Sequence, residues 1–295
     1  MGYIKINQDK VTKKHAEALQ AMCPFNAFDY IDSYLSINAG CKICKICAKK
    51  GPNNICEFID ETKALIDKTK YKGITVYIEH RQNKAHSVSW ELVGKAQELA
   101  EKTKEPVYTL LIGHDVSKIA NEALSYGVDK VFVYDDASYC DFNVETYTNA
   151  VEHFYKNHQV NVILFGGTTQ GRSFAPRVAA RLKTGLTADC TMLDITDEGD
   201  LLQIRPAFGG NIMAKINTPN HRPQLATIRY KMFNEPQKVN PFGIMVNEDT
   251  KSINKDTSIT LKEVHDKPVV EDISDAEIII AVGRAFKKQK DLELI

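Results

Sequence analysis

The sequence predicts an α/β fold, a parallel sheet covered by helices on both faces and preceded by a small α+β module. Two observations carry this. From Gly73 onward, short and almost wholly apolar segments such as GITVYIE, VYTLLIG, KVFVY and VNVILFGG alternate with amphipathic stretches. Strands without a polar face belong to parallel sheets buried on both sides. Before them, residues 1–60 hold five of the chain's seven cysteines. So short a stretch buries little apolar surface, so it is expected to lean on a bound metal group for stability.

The elements follow in order. Glu57 to Tyr71 has a charged and apolar helical pattern and reads as a connector, with 61–72 as the linker proper. GITVYIE is a strand; Ser89 is the expected cap of a helix reaching about Lys104, with Leu92, Ala96 and Leu99 on its apolar face. VYTLLIG is the second strand, followed by a helix near Val116 to Tyr126, the strand KVFVY and a helix near Asn143 to Asn157. VNVILFGG is next, then a helix from about Ser173 to Leu182. After Cys190 the rhythm is β-rich. Strands are expected near Met192–Ile195, Leu201–Arg205, Ile212–Ile216, Leu225–Ile228 and Ile278–Val282, with turns at Asp197–Asp200 and Pro219-Asn220. Lys287 to Ile295 reads as the start of a helix whose Leu292, Leu294 and Ile295 have nothing to cover them.

Composition narrows the function classes. The 38 basic and 38 acidic residues cancel, so no net field favours nucleic acid or an anionic membrane. The opening MGYIKINQDKVTKK lacks a signal-peptide core, and the aliphatic runs are too short to span a bilayer. A soluble, cytoplasmic protein is expected. Reduced thiols agree with that compartment.

Cys41, Cys44 and Cys47 share the run CKICKIC, and Cys23 is followed by Pro24. Together they resemble half of a bacterial two-cluster ferredoxin, in which each run is spaced C-x2-C-x2-C-x3-C-P and its fourth cysteine ligates the other run's cluster. The resemblance makes Cys23 the crossover ligand of one [4Fe-4S] cluster held by Cys41, Cys44 and Cys47. Counting back from Cys23 at that spacing lands on Leu19, Ala16 and Lys13, and counting on from Cys47 lands on Gly51 before Pro52. One ligand set is complete and the other is wholly absent, which reads as one cluster in a fold built for two. A structural zinc site normally draws on two separate C-x2-C pairs. A disulfide framework fits poorly with cysteines that are sparse and odd in number. Cys56 is the alternative fourth ligand, while Cys140 and Cys190 read as small buried side chains.

The stretches VSWELVGKAQELAEK, YGVDKVFVYDD, FGGTTQGRSFAPRVAARLKTGLTADCT, IRPAFGGNIMA and RPQLATIR resemble the first domain of the α subunit of electron-transfer flavoproteins (Etf). The resemblance covers nearly all of 73–284. It implies a Rossmann-like domain there, a ferredoxin-like module over 1–60, and in 285–295 the lead into a further FAD-binding domain, whose entry Gly283-Arg284 resembles. An Etf α subunit with such a module is similar to the electron-bifurcating or confurcating branch, an oxidoreductase assembly with a lactate dehydrogenase or an acyl-CoA (caffeyl-CoA-type) reductase. The single cluster leans toward the lactate dehydrogenase type. Implied partners are an Etf β subunit, a flavin dehydrogenase, ferredoxin, and NAD through the β subunit. Implied cofactors are the cluster and FAD, on the β subunit at the interface and on the further α domain. A simple electron carrier with a structural cluster is the other reading.

In the same resemblance, Arg205, Gly209, Gly210 and Arg229 lie near the β subunit's flavin, with Arg229 the catalytic position. A fixed guanidinium stabilises anionic reduced flavin and moves its potentials. Tyr230 stands where many relatives have proline. The loop Gly166 to Arg172 follows a strand and opens a helix, where α/β sheets cradle phosphates, but it lacks both P-loop and G-x-G-x-x-G spacing. It also reads as a simple tight turn, and Arg172 is its cofactor-binding candidate. His80, His86, His114, His153 and His158 show no ligand spacing and read as surface residues.

Overall fold

A computed structural model describes residues 2–59, 66–265, 276 and 278–294. They fall into two compact units, Met1–Asp256 and Thr257–Ile295.

The N-terminal module is built from two antiparallel pairs and two helices. Strand β1 (Tyr3–Ile6) is followed by α1 (Lys13–Met22), the hairpin β2 (Phe28–Ile31) and β3 (Tyr34–Ile37), α2 (Ile46–Lys50) and β4 (Cys56–Ile59), which returns to pair with β1. Thr12 caps α1, its side chain accepting from the His15 amide. Ile4, Ala16, Leu19, Phe28, Leu35, Ile55 and Cys56 form a small core of their own. Two of the positions where a second cluster's cysteines would fall, Ala16 and Leu19, are fully buried in that core. At a third, Gly51, a Cβ would lie 2.1 Å from the Cys47 carbonyl oxygen. Apolar packing fills the place of the second ligand set.

The connector differs from expectation. Glu57 to Ile59 complete β4 and Lys68–Lys70 form a 3-10 turn, while 60–65 lie outside the described residues. Pairing with β1 claims residues whose local pattern alone reads as helical.

The large sheet follows as β5 (Ile74–Tyr77), the short hairpin β6 (His80–Arg81) and β7 (Lys84–Ala85), α3 (Ser87–Thr103), β8 (Val107–Gly113), α4 (Ser117–Ser125), β9 (Lys130–Asp135), α5 (Val144–His158), β10 (Val162–Gly166), α6 (Thr169–Leu182) and β11 (Leu186–Cys190). A three-stranded antiparallel sheet of β12 (Met192–Ile195), β13 (Leu201–Ala207) and β14 (Ile212–Ile216) precedes β15 (Gln224–Ile228) and β16 (Ile244–Asn247). The seven strands of the main sheet run in the order β11-β15-β10-β5-β8-β9-β16, every pair parallel. One face packs Val76 and Ile78 against Leu92, Val93 and Ala96 of α3; the other packs Tyr77 and Ile163 against Phe154 of α5 and Phe174 of α6. This is the Rossmann-like α/β arrangement expected of near-continuous apolar strands.

Several local readings are corrected. Helix α3 starts at Ser87 with His86 as its cap, the imidazole accepting from the Val88 amide; Ser89 instead accepts from the Glu79 amide at 3.0 Å. Cys140 is exposed, whereas Cys190 is buried. His80 is not a surface residue: its Nε2 donates to the Ile112 carbonyl at 2.7 Å. His158 pairs with Glu248. Residues 278–282 form no strand, and Ile278 to Ile280 are exposed; an apolar run becomes a strand only where a neighbour takes up its backbone groups. The C-terminal segment is a 3-10 turn over Gln289–Leu294, with Ile295 outside the described residues. Among the described residues no helix is long and apolar enough to cross a membrane.

Candidate functional site

The cysteine site begins where α1 ends. Cys23 caps that helix, its amide donating to the Leu19 carbonyl at 3.1 Å, and Pro24 prevents the helix from continuing. The run Cys41–Cys47 enters α2 through a tightly wound loop in which Ile43 and Lys45 take left-handed φ values of 52° and 64°. A β-branched residue rarely adopts that conformation, so the winding is imposed by the loop. Its effect is to turn three closely spaced cysteines toward one place. Cys23, Cys41, Cys44 and Cys47 all line a single cavity, walled by apolar groups including Ile4, Phe25 and Phe28. Backbone amides already point at two of the sulfurs: Ala27 N–H donates to Cys23 Sγ and Ile43 N–H to Cys41 Sγ, each at 3.4 Å.

Cys56 lies elsewhere. It is buried on β4 beside Cys47 and lines a different cleft, with Asn7 and Lys49. Burial pushes its thiol up to about 12, with the neighbouring Cys47 adding to the rise, so it is held protonated. The Cys47 thiol is also raised, by burial first. Among the described residues no three His, Cys, Asp or Glu side chains are gathered closely enough to hold a metal ion directly. The donor set nonetheless suits a soft iron-sulfur group, with four thiols on one apolar cavity and amide donors aimed at sulfur.

The second site lies at the carboxyl end of the main sheet, around the last two residues of β11. The Arg229 amide donates to the Cys190 carbonyl at 3.1 Å as β15 ends. Arg205, on β13, places its charge near the Cys190 thiol, which burial pushes up to about 12 and Arg205 partly restrains. Arg172, on α6, donates through Nε to Asp189 Oδ1 at 2.9 Å, and the Asp189 amide donates to Thr227 Oγ1 at 2.9 Å. The Arg172 and Arg205 side chains and the Arg229 backbone, far apart in sequence, thus meet about Asp189 and Cys190. Their circumstances differ. Arg172 is neutralised by Asp189, Arg205 is half-buried with Nε on the Pro206 carbonyl, and Arg229 is exposed with no carboxylate partner among the described residues.

Gly209 and Gly210 form the turn between β13 and β14, with φ of 71° and 91° and nothing within 4 Å of an added Cβ. Glycine is therefore needed there for its backbone and not for space. The tip carries exposed apolar side chains, Phe208 at 82% together with Ile212 and Met213. Such a cluster is characteristic of a contact surface. Sequence reasoning named the arginines and glycines but missed Asp189 and Cys190, whose segment LTADC carries too little apolar character to announce a strand.

Comparison with known proteins follows the same division. The electron transfer flavoprotein domain matches residues 74–264. A lactate dehydrogenase (NAD(+),ferredoxin) subunit LctC of Acetobacterium woodii is 48% identical over the whole of this chain and 71% of its own length. That match includes the cysteine-bearing module. The electron transfer flavoprotein subunit alpha of Thermoanaerobacterium thermosaccharolyticum is 38% identical over 73% of this chain and 66% of its own length. The corresponding subunit of Clostridium acetobutylicum is 37% identical over 77% of this chain. With a parallel sheet between helix layers, as expected, and matches of this extent, the chain belongs to the electron transfer flavoprotein family.

Proposed function

We propose that this chain is the α subunit of an electron-transfer flavoprotein working in a bifurcating or confurcating complex, coupling NAD and ferredoxin to a flavin dehydrogenase for lactate. The observation that carries the reading is the 48% identity along the entire chain to a subunit named for lactate, NAD(+) and ferredoxin. It is supported by four thiols lining one cavity in the part that precedes the flavoprotein domain. The module over 1–60 would be the electron port for ferredoxin, 61–72 its tether, and 73–284 the domain facing the β subunit, ahead of the lead into a FAD domain at 285–295. The cytoplasm is the compartment in which such partners meet.

The residues divide the work. Cys23, Cys41, Cys44 and Cys47 would hold one [4Fe-4S] cluster, with the Ala27 and Ile43 amides donating to their sulfurs. Arg205 and Arg229 would present positive charge to the flavin of the β subunit, and the Gly209-Gly210 turn would bring the apolar tip against that subunit. When bound, the cluster supplies one-electron transfer and the flavin exchanges one- and two-electron chemistry.

Reconstitution with the β subunit and the dehydrogenase tests the proposal. Lactate turnover with NAD should depend on ferredoxin, and Cys23→Ala should abolish that ferredoxin-coupled turnover while leaving NADH oxidation with an artificial acceptor. Full turnover without ferredoxin would mark a simple carrier with a structural cluster.

A further inference from the structure

The mouth of the cysteine cavity carries one sign of charge. Residues 41–50 hold four lysines and no Asp or Glu. Lys42 and Lys45 line the cavity itself, and Lys45 also lines the neighbouring cleft with Lys5, Lys10 and Lys49, so positive charge runs unbroken from the cysteines along α2. Among the described residues, Asp9 and Glu57 are the carboxylates on these two linings. Lys42, Lys45, Lys49 and Lys50 make no ion pair among the described residues, whereas Lys102, Lys156 and Lys238 of the large domain each meet a carboxylate. Lys45 is held 3.7 Å from the centre of the Phe58 ring, which fixes its place and leaves its charge unbalanced. Excess charge of one sign repels itself and works against a compact fold. Folding therefore gives no reason for it, and a partner does.

The same face presents the cysteine end of the module. Cys44 is exposed, and Phe25 and Ile43, 43% and 41% exposed, add apolar surface beside it. An apolar centre within a charged rim is the anatomy of a protein contact. Its small extent suits the brief encounters of electron carriers. The choice of cation points the same way. The first arginine of the chain is Arg81, so the module has no guanidinium fork of the kind that grips the phosphates of nucleic acid or lipid. Lysine is a hydrated point charge, which draws in an anionic partner without fixing its geometry.

We propose, resting on the reading of residues 1–60 as an electron port, that this face docks an acidic one-electron carrier protein. Its carboxylates would lie on Lys42, Lys45, Lys49 and Lys50, around a contact centred on Cys44.

The test titrates the reconstituted complex with an acidic two-cluster bacterial ferredoxin by isothermal titration calorimetry. Salt is set at about 10 mM and about 150 mM, where charges are screened over about 30 Å and about 8 Å. Wild type should bind about tenfold more weakly at the higher salt. Lys42→Glu with Lys49→Glu should weaken binding about tenfold at the lower salt and flatten the salt dependence. Both side chains are exposed and make no hydrogen bond among the described residues, so the variant keeps its fold, checked by its iron content. The milder Lys42→Gln with Lys49→Gln should fall between it and wild type. Lys118→Glu with Lys251→Glu, at two exposed lysines of the large domain, changes the net charge equally and should bind as wild type does. Unchanged affinity in the Lys42 and Lys49 variants would overturn the docking surface. Equal losses in the Lys118 and Lys251 variant would also overturn it, leaving net charge alone. So would pelleting with phosphatidylserine vesicles that is lost in the Lys42 and Lys49 variants while ferredoxin binding is kept, which would mark a lipid-binding face. Wild-type turnover that needs no ferredoxin would end the functional reading and this surface with it, whereas coupled turnover with unchanged affinity in the variants would end the surface alone.

Discussion

Replacing Arg229 with alanine in the complete complex should lower the potential at which the β subunit's flavin becomes anionic. Arg229 is exposed at the end of β15, without a carboxylate partner among the described residues and with its backbone fixed on Cys190. A unit charge about 4 Å from another is worth about 1 kcal/mol in water and about 4 kcal/mol at the effective dielectric near a protein surface. The first figure applies if the arginine stays in solvent and the second if the β subunit covers it. For one electron these correspond to about 40 and about 170 mV, since about 59 mV is a tenfold change. Arg205 remains beside Cys190 and offsets part of the loss. The double substitution Arg172→Ala with Asp189→Ala is the internal control: it removes a neutralised pair and leaves the net charge unchanged, so it should shift the potential far less.

Spectroelectrochemical titration reads the potentials directly, and two turnover assays read their consequence. Coupling depends on the order of the one-electron potentials, so Arg229→Ala should depress ferredoxin-coupled turnover more than NADH oxidation with an artificial acceptor. Arg229→Lys, which keeps the charge but not the planar fork, should fall between. A misfolded variant would lose both activities alike. Unchanged potentials, or equal losses in the two assays, would refute the argument and leave Arg229 as a residue that ends a strand.

Other expectations are as concrete. Cys23→Ala should fall well short of the about four irons per chain of one cubane, while Cys56→Ala retains them; an intact cluster in the first and its loss in the second would exchange the two cysteines. The buried pair Arg222–Asp200, 2.6 Å apart with side chains 1% and 2% exposed, should be asymmetric to mutation. Arg222→Met leaves Asp200 with Lys68 at 2.7 Å and should cost about 3 kcal/mol, whereas Asp200→Leu strands the guanidinium and should cost about 5 kcal/mol by urea denaturation. The reverse order would mean that Lys68 contributes nothing. Asp136 is held well below the usual carboxylate range, first by Lys255, then by Ser138 and Thr250. Its contribution is therefore present above an ordinary pKa of about 3.9 and disappears as pH falls below it. The stability difference between wild type and Asp136→Asn should accordingly shrink through that interval, and a constant difference would contradict the assignment.

The parts of this structure legible in the sequence are those fixed by local pattern. β5, β8, β9 and β10 are apolar on both faces, which only burial between helix layers accommodates, and the sheet follows from them. β12 to β14 declare themselves because turns at Gly199 and Gly209 separate them. What stayed hidden depends on distant partners. β16 is an edge strand whose Ile244 pairs with Lys130, and nothing near Ile244 announces that neighbour. Ser89 looks like a helix cap until Glu79, brought alongside from β5, claims its hydroxyl and leaves the role to His86. Residues 278–282 show the converse, an apolar run that is no strand.

The two sites divide in the same way, for a chemical reason. The ligand set of the proposed cluster must be compact, so three cysteines leading into α2 suggest it by spacing, and a helix end followed by proline brings Cys23 to the same cavity. The Cys-Pro pair already favours Cys23 over Cys56 in the sequence, and among the described residues it is Cys23 that lines a cavity with the other three. The arginine site has no local signature. Its members come from α6, β13 and β15 and meet only because β11 pairs with β15 in a register that sets Cys190 against Ile228. Arg229 follows Ile228 directly. A shift of one residue in that pairing would turn the strand's faces over and carry Arg229 away from Cys190. The position of Arg229 is therefore set by sheet register, and if it faces a flavin as proposed, a variant that disturbs the β11–β15 pairing should mimic Arg229→Ala without touching an arginine.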